Sequence, residues 1–350
     1  MKRIVGLDVA RAVAMVGMVI AHYVEQDAAT GLGGTVRDFV DGRAMPLFVL
    51  LGGIGVTLLI SRSESPDLAL LTRALILFPL GLALQEATTD IAIILQYYSV
   101  FFLLAIGLRR LPAAALLPAA VVMMITGAFT NQILSPPTLP SYGGWEGLGS
   151  LADPGLWWAI LVNGYYPFLP AGAFFIVGMW LGRQRLGDIA LPLVWAGTAL
   201  ALIGSWIGAF IGEQVGALPD DTTADGFRWQ ALFDATGHSE MPAWVIGATG
   251  TALVVIGVSI LATQRWQLRP LVVLGQMALT FYVFQAVVIN WTPPRPETTT
   301  GEEYLLAAGL TIGFLVFAFG WVTFVARRGP LELMLRAGTP SRRQLSRSPG

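Results

Sequence analysis

The chain has 350 residues, of which 55% are hydrophobic and 12% are charged, and its mean hydropathy is +0.67. Because soluble domains carry about 25% charged residues, this composition excludes a soluble globular protein, and it is too apolar for a disordered one. The net charge of -1 gives no indication of a nucleic-acid partner. The absence of cysteine excludes disulfides and thiolate sites, and with only His22 and His238 we expect no metal cofactor.

Ten apolar stretches are long enough to cross a hydrocarbon core as helices, which takes about 20 residues each. They lie near 4–24, 44–61, 68–86, 90–108, 113–133, 158–182, 189–212, 242–263, 270–291 and 303–326. We therefore predict an all-α, polytopic integral membrane protein of about ten transmembrane helices. Residues 1–336 form its transmembrane domain, and 337–350 form a disordered cytoplasmic tail. No pair of interrupted helices is evident, which disfavours an inverted-repeat transporter.

The connections between these stretches alternate in charge. Basic residues recur in every second connection, at Lys2 and Arg3, Arg62, Arg109 and Arg110, Arg183 and Arg185, Arg265 and Arg269, and from Arg327 onward. The positive-inside rule places these connections and both termini in the cytoplasm, and the loops 135–157 and 214–241 outside. All but one of the 21 basic residues are arginine, which indicates a bacterial source and hence the bacterial cytoplasmic membrane.

The first stretch carries a polar stripe. Asp8, Arg11, Met15, Met18 and His22 are spaced 3, 4, 3 and 4 residues apart, so they fall on one face of a helix. Ionisable groups in a bilayer core are costly and often mark a functional site. Asp8 and Arg11 could equally form an i,i+3 ion pair that only neutralises two buried charges, and His22 could be an interfacial ring bonded to a loop.

Further polar residues lie at the two membrane faces. Arg73 is about two turns into the third stretch, at a depth similar to Arg11, so the two could hold a phosphate-bearing ligand or pair with Asp8 and backbone carbonyls. On the outer side the candidates are Asp41, Arg43, Asn163, Tyr165, Tyr166 and His238. No P-loop, HExxH or GxSxG motif occurs, which disfavours an ATPase, a zinc protease and an α/β-hydrolase.

Seven segments, taken in order, resemble one family. They are GLDVARAVAMVGMVIAHY, DGRAMPLFVLLGGIG, LQYYSVFFLLAIGLRRL, NGYYPFLPAGAFFIVGMWLGR, GHSEMPAWVIGATGTALVV, GQMALTFYVFQAVVI and GPLELMLR. The set covers nearly the whole chain and resembles bacterial relatives of heparan-α-glucosaminide N-acetyltransferase and the YeiB-like membrane proteins, a domain of unknown function. The resemblance implies a membrane-embedded acyltransferase fold that takes acetyl-CoA from the cytoplasm and passes the acetyl group to a sugar on the other side. It also implies that His22 acts in this transfer.

We therefore expect transfer of an acyl group from acyl-CoA to an extracytoplasmic sugar, glycolipid or metabolite. His22 is predicted to be the general base or the acyl carrier. Arg11 and Arg73 are predicted to bind the CoA phosphates, and Met15 and Met18 to line the path of the pantetheine arm. The predicted acceptor-binding residues are Asp41, Arg43, Asn163, Tyr165, Tyr166 and His238.

Two other functions stay open at this point. The first is a transporter or exporter of a lipid-linked or small amphipathic solute, in which the same polar groups would line a solute path. The second is a sensor or scaffold without chemistry. The expected partners are the lipid bilayer and the acceptor but no nucleic acid, and a homodimer is also compatible with the sequence.

Overall fold

The structure, a computed structural model, describes residues 3–25, 31–88, 91–134, 147–216, 227–291 and 299–337. Its regular elements within these ranges are all helical, which confirms the predicted all-α class. The tail predicted at 337–350 lies, apart from its first residue, outside the described residues. The α-helices are α1 (Val5–Tyr23), α2 (Gly31–Val40), α3 (Ala44–Ile60), α4 (Pro66–Ala87), α5 (Leu95–Leu108), α6 (Ala113–Leu134), α7 (Pro154–Trp158), α8 (Phe168–Leu181), α9 (Ala190–Trp206), α10 (Glu213–Val215), α11 (Pro242–Arg265), α12 (Arg269–Gln276), α13 (Ala278–Ile289), α14 (Thr300–Phe324) and α15 (Pro330–Ala337).

Most of the predicted spans are present as long apolar helices. Within the described residues, seven helical segments are long and apolar enough to cross a membrane, or up to nine if each of two bent pairs is one span. The bent pairs are Pro154–Asn163 with Phe168–Leu181, at 54°, and Arg269–Gln276 with Ala278–Ile289, at 77°. The expectation that no span is interrupted was therefore wrong. The stretch predicted at 90–108 is helical only as the 14 residues of α5.

Helix α1 lies in the middle of the bundle and packs against α3, α11, α12, α13 and α14. Its closest approach is to α12, where a Cβ atom at Gly275 would overlap the backbone carbonyl of Asp8. Only glycine permits two helix backbones to come this close. The first and last thirds of the chain therefore form one packed body around α1.

The bend between α12 and α13 is stabilised by a carboxylate from α15. The backbone amides of Leu279 and Thr280 donate to Glu332 Oε1 at 2.8 and 3.1 Å, and the Thr280 hydroxyl donates to Oε2 at 2.6 Å. The first amides of a helix have no partner within the helix, and a negative charge there also complements the helix dipole. Glu332 thus allows α13 to begin inside the bundle.

A buried non-helical segment, 91–94, precedes α5. Gln85 Oε1 accepts from the Ile93 amide at 2.7 Å, and the Tyr282 hydroxyl accepts from the Ile94 amide at 3.0 Å. Non-helical backbone at membrane depth is tolerated only when the protein satisfies its polar groups in this way. The arrangement brings Tyr282 of α13 against the start of α5.

Candidate active site

His22 lies in the last turn of α1 and faces α13. Its Nδ1 is 3.1 Å from Gln285 Oε1, and the neighbouring Tyr23 hydroxyl donates to the Gln285 backbone oxygen at 2.8 Å. Because an amide oxygen can only accept, this contact assigns the ring proton to Nδ1 and leaves a lone pair on Nε2. In the described part of the chain Nε2 makes no hydrogen bond. The ring is therefore oriented as a proton acceptor or nucleophile.

His238 belongs to the same group of side chains. Its Nε2 lies 3.8 Å from Asp41 Oδ1, and both His238 and Asp41 are close enough to His22 to interact with it electrostatically. The Nδ1 atom of His238 is buried and has no hydrogen-bond partner. Burial lowers the pKa of His238, and the Asp41 carboxylate offsets part of this shift. The fold thus gathers both histidines of the chain at one place.

A tight turn holds Asp41 against the loop that carries His238. Gly42 has a φ of +63°, its carbonyl accepts from Trp244 Nε1 at 3.0 Å, and a Cβ atom on it would lie 2.5 Å from Gly237 Cα. The His238 ring packs near the rings of Trp244 and Tyr166, with centroids 5.8 and 6.1 Å away. This turn has room only for glycine at position 42.

The loop itself is strained. His238 and Glu240 both have a positive φ, 61° and 60°, although neither is glycine. Such conformations cost free energy and persist where the surroundings over-determine them, often at functional sites. Glu240 is also buried, and neither of its carboxylate oxygens has a hydrogen-bond partner.

Arg37, which was not predicted as a site residue, forms an ion pair with the predicted Asp41. Arg37 is buried, its Nη1 lies 2.9 Å from Asp41 Oδ2, and its Nε donates to the Val24 carbonyl at 3.3 Å. The guanidinium of Arg43 lies over the Phe39 ring at 5.0 Å and donates to the Phe39 carbonyl. The i,i+4 spacing of Arg37 and Asp41 was the sequence signal that could have identified this pair.

The predicted residues 163, 165 and 166 lie at the break between α7 and α8. Asn163 ends a π-helical segment, Ala159–Asn163, and its Oδ1 is buried without a hydrogen-bond partner. Tyr166 packs edge-on against Tyr97 at 5.6 Å and near His238, whereas Tyr165 is exposed. Single-turn π-helices recur at functional sites. Tyr166 therefore belongs to the group of side chains around His22 and His238, which we call the histidine group. Asn163, three residues earlier in the chain, has a side-chain oxygen without a hydrogen-bond partner.

The other end of α1 carries an ion-pair triad. Asp8 is buried, with Oδ1 2.8 Å from Arg11 Nη1 and Oδ2 2.6 Å from Arg3 Nη2. The i,i+3 pair considered from the sequence is thus present. Arg3, which was not predicted as a site residue, adds a second cation, so the triad keeps one net positive charge.

Arg73 has a different environment from Arg11. Its Nη1 donates to the Ala69 carbonyl at 3.0 Å, and Arg336 and Arg328 are among the charged groups that act on it. The structure therefore places Arg73 beside the C-terminal helix α15. Met15 and Met18 are both buried in the main hydrophobic core.

Aromatic side chains connect the two ends of α1. Arg11 lies close to Gly55 and interacts electrostatically with the Tyr98 hydroxyl. The Phe48 ring lies 5.4 Å from Tyr98 and 6.4 Å from Tyr282, which is one turn before Gln285 on α13. A row of rings thus leads from the arginine end of α1 to its histidine end. Among the described residues, no three His, Asp or Glu side chains are grouped as metal ligands.

Two known families match the chain. One, described as "Heparan-alpha-glucosaminide N-acetyltransferase, catalytic", matches residues 3–209, and the other, "Protein of unknown function (DUF418)", matches 193–342. No curated protein matches the chain. The first match contains His22, whereas Gln285 and His238 lie in the second. Because the first match covers more than half of the 350 residues, this multi-pass helical membrane protein belongs to the heparan-α-glucosaminide N-acetyltransferase catalytic family, whose name points to a membrane acetyltransferase-type activity.

Proposed function

We propose that this protein transfers an acyl group from cytoplasmic acyl-CoA to a hydroxyl or amine on the other side of the membrane. The name of its family indicates that the acyl group is acetyl. The acceptor is a cell-envelope sugar, a glycolipid or a small metabolite. Family membership supports acetyl transfer. The observation that carries the proposal is His22, whose Nδ1 contacts Gln285 and whose Nε2 makes no hydrogen bond in the described part of the chain.

His22 has two chemically balanced roles. As a general base, Nε2 takes the proton from the acceptor O–H or N–H while that atom bonds to the thioester carbonyl carbon. The C–S bond then breaks, and the imidazolium returns the proton to the thiolate. As a carrier, Nε2 bonds to the thioester carbonyl carbon and the C–S bond breaks to release the CoA thiolate. The acceptor then attacks the acyl-imidazolium, the Nε2–acyl bond breaks, and the proton that the acceptor loses passes to the thiolate. Gln285 keeps the proton on Nδ1 at the start of both routes.

The polar atoms around His22 suit an acceptor with several hydroxyl or amine groups. Buried polar atoms are normally hydrogen-bonded, so unpartnered ones indicate a place for a ligand or for water. His238 Nδ1, Gln285 Nε2 and Asn163 Oδ1 are three such atoms. Asp41 adds a partly exposed carboxylate that can accept from a hydroxyl. In this proposal Tyr166 forms one wall of the acceptor site, while Arg43 and Tyr165 contribute at its edge.

The donor is proposed to enter from the arginine end of α1. Guanidinium groups match phosphate geometry, so Arg3, Arg11 and Arg73 suit the phosphates of CoA. Asp8 and His22 are separated by 14 residues, which corresponds to about 21 Å along a helix. The reactive end of the donor must cover that distance, and Tyr98, Phe48 and Tyr282 border a route of this kind. Met15 and Met18 lie on the same helix and are proposed to line it.

The proposal is tested with detergent-purified protein and acetyl-CoA. We expect release of CoA in the presence of a panel of amino sugars, sugars and glycolipids by the native chain. We expect none above background from His22→Ala or His22→Gln, both checked for folding by gel filtration. Mass spectrometry of the protein incubated without acceptor separates the two routes, because only the carrier route acetylates His22. Near-native turnover by His22→Ala would overturn the proposal.

A second function, transport of a lipid-linked or small amphipathic solute, is favoured by one observation. Two spans are broken near polar residues, as in many transporters. Proteoliposomes distinguish the two functions. Solute accumulation inside the vesicles without acyl-CoA would support transport. Modification of an acceptor inside the vesicles, only when acyl-CoA is added to the external buffer, would support acyl transfer. Thermal stabilisation by CoA is expected only for the acyltransferase.

A further inference from the structure

A cluster of arginines lies at the face of the bundle where the two ends of the described chain meet, away from the histidine group. Its members come from five parts of the chain: the residues before α1, the α3–α4 connection, α4, the residues before α15, and α15 itself. We call this the basic cluster, and it consists of Arg3, Arg62, Arg73, Arg328 and Arg336.

The bend between α12 and α13 positions two members of the basic cluster. Arg3 Nη2 and Nη1 donate to the side-chain oxygen of Gln276, at 2.6 and 3.1 Å, with the amide oriented to accept. Arg328 precedes Gly329, where an added Cβ atom would lie 2.5 Å from the Thr280 hydroxyl oxygen. Arg3 and Arg328 are therefore on either side of the same bend, one at its α12 end and one at its α13 end.

Helix α15 brings two further members of the basic cluster together. It packs against both α4 and α13, so Arg336 in its last turn comes near Arg73 of α4. Arg62, Arg328 and Arg336 are exposed and Arg73 is half-buried. The guanidinium groups of Arg328 and Arg336 are therefore open to a ligand from the solvent or from the membrane surface, and Arg73 lies close enough to both to interact with them electrostatically.

Two carboxylates that lie beside the basic cluster already have other partners. Glu332 accepts three hydrogen bonds from Leu279 and Thr280 at the start of α13. Asp8 is shared between Arg3 and Arg11. Neither carboxylate is thus available to neutralise Arg328 or Arg336.

The remaining positive charges act on one another. Burial, followed by the charges of Arg336, Arg3 and Arg62, lowers the pKa of Arg328. Like charges brought together at a protein surface cost free energy, which a bound anion would recover. Arginine is the side chain best suited to hold a phosphate through paired hydrogen bonds.

We propose that Arg73, Arg328 and Arg336 form a phosphate-binding site on this face. The phosphate comes either from the adenosine part of CoA, an assignment that rests on the proposed function, or from an anionic lipid headgroup. Arg328 and Arg336 lie outside the part matched by the acetyltransferase family and inside the part described as of unknown function. The proposal gives this C-terminal part a role, which is to supply phosphate contacts to a site shared with α4.

The first arm of the test measures binding of CoA, 3′-dephospho-CoA and pantetheine to the full chain in nanodiscs of a zwitterionic lipid. If CoA supplies the phosphate, the native protein binds CoA more tightly than its dephospho form. Arg328→Gln and Arg336→Gln each weaken CoA binding about 10- to 100-fold. Each also reduces the difference in affinity between CoA and 3′-dephospho-CoA. Arg185→Gln is the matched control, since Arg185 is an exposed arginine of another connection, and it leaves both affinities unchanged.

The second arm replaces the zwitterionic lipid with phosphatidylglycerol, without any nucleotide. If a headgroup supplies the phosphate, the anionic lipid raises the unfolding temperature of the native protein and of Arg185→Gln but not of the two variants. Native CoA affinity together with native lipid stabilisation in Arg328→Gln and Arg336→Gln would overturn the proposal. Because Arg336 is exposed near the end of the last helix, its variant keeps the test decisive if Arg328→Gln does not fold.

The result is separable from that for acyl transfer. If His22→Ala loses transfer while its CoA binding still depends on Arg336, the phosphate site stands whatever the acceptor chemistry is. If transfer proceeds in Arg336→Gln with an unchanged KM for acyl-CoA and unchanged lipid stabilisation, the phosphate site fails and the acyltransferase proposal stands.

Discussion

The Gln285 side-chain oxygen lies 3.1 Å from Nδ1 of His22, and this contact between residues 263 positions apart in sequence connects α13 to α1. Gln285 is fully buried, and its other amide atom, Nε2, has no hydrogen-bond partner. A polar side chain with half of its hydrogen-bonding capacity unused is costly inside a membrane bundle. Its position is therefore best explained by what it does to His22.

Replacement of Gln285 by leucine is expected to lower the rate of transfer without weakening CoA binding. Leucine leaves Nδ1 without an acceptor, so the ring loses its preferred tautomer. The loss of about 1–3 kcal/mol of hydrogen-bond energy corresponds to roughly a 5- to 160-fold lower kcat. Gln285→Glu, which keeps an acceptor and adds a negative charge, is expected to move the pH–rate profile to higher pH. An unaltered profile in both variants would show that Gln285 has only a packing role.

Arg37 and Arg43 form a matched pair for testing the surroundings of Asp41. Arg37→Gln removes the cation from Asp41 and leaves a hydrogen bond to Val24 unmade, so we expect a large loss of activity and a lower unfolding temperature. Arg43→Gln removes a cation–π contact with Phe39, which is worth about 0.5–1 kcal/mol, together with a hydrogen bond to the Phe39 carbonyl and a longer-range attraction to Asp41, so we expect a smaller effect. Turnover and thermal unfolding of the two variants show which arginine contributes more to activity and stability. A stronger effect at Arg43 would mean that the acceptor binds on the Phe39 side.

Glu240 makes the stability of the loop that carries His238 depend on pH. Burial raises the pKa of this carboxyl well above its ordinary value of 4.5. Its contribution to folding is therefore complete below about pH 4.5 and is lost as the pH rises through the raised value. We expect the unfolding temperature of the native protein to fall as the pH rises from about 4.5 to the raised pKa of Glu240, and to change less in Glu240→Gln. Glu213→Gln, at an exposed position, is the control and should follow the native curve. Parallel curves for native protein and Glu240→Gln would refute the assignment.

The predicted orientation in the membrane can be tested with two engineered cysteines, because the chain has none of its own. Gly149 and Gly187 are exposed, and a Cβ atom on either would meet no atom within 4 Å. The positive-inside rule puts Gly149 outside and Gly187, beside Arg183 and Arg185, inside. A membrane-impermeant thiol reagent should label Gly149→Cys in intact cells and Gly187→Cys only after lysis. The opposite labelling pattern would show that the predicted orientation is wrong.

Local patterns predicted what depends on neighbours in the sequence. The apolar stretches follow from the length that a bilayer demands, and the Asp8–Arg11 pair follows from i,i+3 spacing. The contact of His22 with Gln285 could not be predicted in this way. It depends on how α1 packs against α13, and no local pattern specifies that packing.

The two bends were missed for a similar reason. A helix that begins inside a span needs partners for its first amides, and at α13 these partners come from Glu332, more than fifty residues later. The sequence around Met277 therefore contains no capping residue that would announce a helix start. At α8 the local signal was present, since Gly164 and Pro167 interrupt the apolar pattern, but it was outweighed by the length of the stretch.

The dependence of α13 on Glu332 has a practical consequence for anyone who shortens the protein. A final helix of eight residues is usually the first segment to be trimmed. Here, ending the chain before Pro330 would strip the first amides of α13 of their acceptor and, through α13, loosen Gln285, which lies further along the same helix. What looks like removal of a terminal appendage would in effect be a deletion within the bundle.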